Sequence, residues 1–70
     1  MNKATLANLE KKRKAAEDQI VIRDETFDSR SKDWKQSEKA SRHNDKTNVL
    51  IEYEKELDYA IDTLKRYLEL

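Results

Sequence analysis

Leu50, Tyr53, Leu57, Ala60, Ile61, Leu64, Tyr67 and Leu68 fall on one stripe of a 3.6-residue period, and Glu52, Lys55, Glu56, Asp62 and Arg66 fall opposite. That pattern predicts an amphipathic helix over about residues 47–69. A thinner stripe precedes it. Leu6, Leu9, Ala16, Ile20, Phe27 and Trp34 share a face, and the last three are spaced by seven, the repeat of one coiled-coil position. Arg13 lies inside this stripe, where its stem can pack while its head reaches water. Glu10 with Lys14, Asp28 with Lys32 and Glu38 with Arg42 are acid-first i,i+4 pairs, each worth a few tenths of a kcal/mol to a helix. A first helix is therefore expected over about residues 5–42.

Between the two stripes stand Arg42, His43, Asn44, Asp45, Lys46, Thr47 and Asn48, the densest group of turn and capping residues in the chain. Asn44 tolerates the left-handed conformation, and Asp45, Thr47 or Asn48 can cap a following helix. The expected fold is all-α, one domain over residues 1–70. It is an antiparallel helical hairpin with a long first helix, a turn at about 43–46 and a shorter second helix. At 1.5 Å per residue the first helix would run roughly 57 Å and the second roughly 36 Å. Leu6 and Leu9 would then overhang, and a homodimer would cover them with Leu6, Leu9, Ile20, Phe27 and Trp34 as its seam. The alternative is a break near residues 21–26, at the β-branched cluster Ile20, Val21 and Ile22, with Asp24 or Thr26 as a new cap. That break would give a three-helix bundle.

Composition narrows the picture. The chain has no Gly, no Pro and no Cys, and 43% of it is charged. Without glycine there is no ready phosphate-cradling loop, and without cysteine no disulfide or thiolate chemistry. A 70-residue chain buries little of its surface and ordinarily needs a disulfide, a metal or association with another chain. His43 is the one histidine, so no metal site, no cofactor and no catalytic triad is expected. The i,i+4 carboxylates Glu52/Glu56 and Asp58/Asp62 lack the Glu-x-x-His partners of a di-iron bundle, because Ala40 stands three residues before His43. The chain reads as no enzyme. No run approaches a membrane span and no signal-peptide stretch opens the sequence, so a cytoplasmic protein without membrane contact is expected.

Fifteen basic and fifteen acidic residues cancel overall, but they are unevenly placed. Lys11, Lys12, Arg13 and Lys14 form a basic run that could contact nucleic acid, the less favoured of two partner readings. Residues 45–62 hold six carboxylates and two lysines, net −4. Three like-charged i,i+4 pairs there oppose the helix, which suggests a surface kept for a partner. Tyr59 projects from the same side, so Glu52, Glu56, Tyr59 and Asp62 are the expected contact residues for a protein with a basic surface.

Around Trp34 the chain reads Arg30-Ser31-Lys32-Asp33-Trp34-Lys35-Gln36-Ser37-Glu38-Lys39, with Phe27 ahead of it. This resembles the Arg-Ser-x-x-Trp-x-x-Ser-Glu-Lys stretch of small uncharacterised helical proteins of phages and mobile elements. The resemblance covers about residues 27–64. Those proteins usually carry Gly after the Lys, where Ala40 stands here. It implies a phage-like origin and assigns no activity or site residue. The expected function is a small non-enzymatic protein-interaction module, a phage-borne inhibitor or modulator acting through its acidic face. The alternatives are a nucleic-acid-binding accessory protein and a purely structural dimerisation element.

Overall fold

In the computed structural model, which describes residues 1–70, three helices follow one another: α1 (Lys3–Asp28), α2 (Lys32–Lys35) and α3 (Glu38–Glu69). α1 packs antiparallel along α3, and the one-turn α2 bridges their closed end. The all-α hairpin expected from the sequence is present. Its corner, however, lies at residues 29–37 and not at about 43–46. The proportions reverse accordingly, with 26 residues in α1 and 32 in α3.

Serine chemistry explains the corner's position. α1 ends at Asp28, where the Ser29 amide still donates to the Glu25 carbonyl at 3.0 Å and the Ser29 hydroxyl donates to the Thr26 carbonyl at 2.8 Å. Ser31 is extended and caps α2, its Oγ accepting from the Trp34 amide at 3.2 Å. Ser37 is also extended and starts α3, with its hydroxyl donating to the Trp34 carbonyl. No residue in the chain has a positive φ, so the direction reverses without any position that needs glycine. Asn44 and Asp45 are exposed positions inside α3, where each costs only a few tenths of a kcal/mol of propensity.

The break considered near residues 21–26 does not occur. α1 passes through Ile20, Val21 and Ile22 as regular helix, because β-branching lowers helix propensity only slightly. The overhang disappears too. Arg13 meets Asp58 and Arg23 meets Thr47 across the hairpin, so Leu6 and Leu9 lie beside the last turns of α3 and are half-buried.

The contact seam repeats at alternating steps of three and four, the spacing of an antiparallel coiled coil. On α1 it runs through Leu6, Leu9, Arg13, Ala16, Ile20, Arg23 and Phe27; on α3 through Ala40, His43, Thr47, Leu50, Glu54, Leu57, Ile61, Leu64 and Leu68. Only six residues are buried, with Ile61 the most enclosed. The resulting rod measures 54 × 15 × 11 Å, one layer of helices thick.

Besides the half-buried Glu54, polar contacts at two levels interrupt the seam. Arg13 donates to Asp58 at 2.8 Å and lies 3.8 Å from Glu17, and the hydrogen bond to Asp58 holds its guanidinium charged above the ordinary range. Nearer the corner, Arg23 Nε donates to Thr47 Oγ1 at 2.8 Å and Arg23 Nη2 donates to the His43 carbonyl at 3.0 Å. His43 Nε2 faces the Arg23 carbonyl at 3.1 Å, and a carbonyl only accepts, so Nε2 carries the proton. Nδ1 is then free to accept from Arg23 Nη2 at 3.3 Å.

Candidate functional site

Glu52, Glu56, Tyr59 and Asp62 follow one another at steps of four, three and three, so α3 presents them along one side. All four are exposed, on the side of α3 turned away from the seam. Tyr59 is 71% exposed, a large solvent share for an aromatic ring. None of the three carboxylates takes part in an ion pair of the chain. Asp58, which lies between them in sequence, turns toward α1 and binds Arg13. Arg13 therefore neutralises Asp58, and the outer face keeps Glu52, Glu56 and Asp62 with open acceptor positions beside Lys55 and Arg66.

Tyr59 also joins two hollows of different character. On one side it lines an apolar groove of 550 Å³ with Met1, Leu9, Ala60, Leu64 and Tyr67 among its walls. On the other it borders a hollow of 420 Å³ made by Asp62, Lys65, Arg66 and Glu69. The charges around the ring are of both signs, with Lys55, Lys65 and Arg66 interleaved among the carboxylates. A ring with an apolar trench on one side and carboxylates within reach can take a partner residue that has an aliphatic stem and a cationic head, such as Lys or Arg.

The basic run is divided by the helix. Arg13 faces inward to Asp58, and Lys14 binds Asp18 at 3.0 Å, a contact that holds its amine charged above the ordinary range. Lys11 and Lys12 remain exposed without ion pairs, and Lys12 lines a shallow hollow with Ala15, Gln19 and Tyr53. The structure brings the four residues to no common face.

Leu6, Leu9, Ile20, Phe27 and Trp34, expected to line a dimer seam, are half-buried within the chain itself. The first four lie on the α1 side of the intramolecular seam, and Trp34 sits on α2. At the corner Trp34 packs edge-on to Phe27 and to His43, each at 5.7 Å between ring centroids, and Phe27 lies 6.1 Å from His43. The Arg30 guanidinium sits 5.0 Å from the centre of the Trp34 ring. Lys35 reaches back to the Asp28 carbonyl at 3.1 Å, a cation at the C-terminal end of α1. The Arg30, Ser31, Trp34, Ser37 pattern is thus the hardware of the corner.

Sequence reasoning missed Arg23 and Thr47 as a seam pair. Arg23 stands three residues after Ile20 and four before Phe27, and that spacing was the available signal. No protein-family model, curated protein or solved structure matches the chain. No helix is long and apolar enough to cross a membrane.

Proposed function

We propose that this chain is a small non-enzymatic binding module that docks the outer face of α3 on a basic site of another protein. The observation that carries the reading is the group Glu52, Glu56, Tyr59 and Asp62: exposed, free of internal ion pairs, and bordered by an apolar groove. The like-charged i,i+4 pair Glu52/Glu56 costs the helix a few tenths of a kcal/mol, and a cationic partner removes that cost. Tyr59 supplies the desolvating anchor that such contacts need. A non-catalytic role is supported by His43, whose two ring nitrogens both face Arg23 inside the seam and leave none for proton transfer to a substrate. With the phage-like origin implied by the corner motif, the partner would be a host protein and the module its inhibitor or modulator.

Affinity capture with Tyr59→Ala and with Glu52→Lys/Asp62→Lys tests this. Both variants should keep wild-type helix content by circular dichroism, since all three positions are exposed. A basic protein retained by the wild type and lost from both variants is the expected result. The same proteins held by all three baits would overturn the assignment of this face.

A further inference from the structure

The apolar stripe of α3 is wider than one helix can cover. α1 takes the seam positions Leu50, Leu57, Ile61 and Leu64, but Tyr53 is 43% exposed and Tyr67 61% exposed along one edge of the same stripe. The two long flanks of the hairpin therefore differ. One carries the Arg13, Glu17 and Asp58 ion pairs. The other carries all three grooves between α1 and α3: one beside Tyr67 and Met1, one beside Tyr53 and Ala15, and one of 600 Å³ beside Val49 and Arg23. The flank is apolar around Tyr67, Leu9 and Tyr53 and is interrupted by Lys12, Gln19 and Lys46, and it runs along a rod one helical layer thick.

The geometry points to a second copy of this chain as the occupant, stacked on that flank as an up-down-up-down four-helix bundle in which α1 of each copy lies over α3 of the other. Size fits: a flank roughly 54 Å long and 15 Å wide offers on the order of 800 Å² per copy, the share of a standard-size interface. Shape fits as well. The α3 side of the flank carries the bulky Tyr53 and Tyr67, while the α1 side carries the small Thr5 and Ala15. Laying α1 over α3 sets Tyr67 against Thr5 and Tyr53 against Ala15, each pair within a turn of one level. Arg13 opposite Asp58 and Arg23 opposite Thr47 fix those levels.

Charge selects the same arrangement. Glu56 stands on α3 between Tyr53 and Ala60, and Lys12 on α1 is within a turn of its level. Neither belongs to an ion pair of its own chain. Stacking α1 over α3 brings Glu56 of each copy to Lys12 of the other, twice by symmetry. The other face-to-face two-fold, α3 over α3, would place Glu56 against Glu56 near the axis. Glu52 and Asp62 remain on the outside of the assembly and Tyr59 at its rim, while Glu56 and the groove beside Tyr67 pass into the dimer. A further partner would therefore meet only the Glu52, Tyr59 and Asp62 part of the docking face.

Sedimentation equilibrium on the full chain tests the proposal, with circular dichroism to follow folding. The wild type should be a dimer at tens of micromolar. Tyr53→Glu should be monomeric with its helix content kept. Lys12→Glu should weaken the dimer by about tenfold, and adding Glu56→Lys should restore it. Glu52→Lys/Asp62→Lys should leave the dimer unchanged, which separates this surface from the acidic docking face. A wild-type monomer at these concentrations would overturn the proposal. So would a Tyr53→Glu dimer of unaltered strength, or a charge swap that fails to restore assembly.

Discussion

Thr47 is the one polar residue among the six that are buried, and its hydroxyl is used twice. It donates to the His43 carbonyl at 3.0 Å and accepts from Arg23 Nε at 2.8 Å. With the His43 carbonyl it holds a charged side chain at a seam position, Nε and Nη2 of Arg23 both matched. Thr47→Val keeps the volume and removes the acceptor, so it should destabilise the hairpin by about 1–3 kcal/mol in urea unfolding. Arg23→Met removes the orphaned donor, and the double variant should regain part of that loss in a double-mutant cycle. At the same scale, Arg13 and Lys14 have their ionisation ranges raised by Asp58 and Asp18. Groups raised in this way contribute fully at neutral pH and lose their contribution only when strong alkali deprotonates them.

At the scale of elements, α3 was legible from about residue 47 onward, while its first turns and the corner were not. Leu50, Leu57, Ile61 and Leu64 recur with helical spacing in a stretch of helix formers, and the structure buries three of the four. In α1 the same periodicity is diluted by Arg13 and Arg23, which occupy apolar positions of the pattern. Asn44, Asp45 and Thr47 favour a turn locally, but packing of the α3 face overrides that preference. The corner is built instead by serines that cap one short helix and begin the next. Two substitutions separate these locations. Asn44→Ala should leave stability unchanged or raise it by about half a kcal/mol, as expected for an exposed mid-helix site. Ser31→Ala should lower it by about 0.5–2 kcal/mol through the lost cap. The outer acidic face was readable because it lies opposite the leucine stripe. The apolar grooves were not, since they depend on which edge of that stripe α1 leaves open.

For the molecule as a whole, a rod of 54 × 15 × 11 Å with six buried residues has a thin interior for its length. Such a chain holds a modest margin of stability by itself, and a face-to-face second layer would deepen its core. Its seam is antiparallel and joined by a short connection, so most of its long-range contacts zip outward from the corner.

The absence of proline from the corner also sets the tempo of the chain. Nothing there must wait for a peptide bond to isomerise, the event that holds many proteins for tens of seconds. Trp34 lies inside this hinge and is the sole tryptophan, so its emission reports closure directly. After stopped-flow dilution from urea, closure should appear as a single exponential within milliseconds at every protein concentration. A minutes-long phase in Trp34 emission would contradict this account of the hinge. Any slower signal that quickens with concentration should be confined to the tyrosines, so one refolding experiment clocks the bend and the meeting of two chains separately.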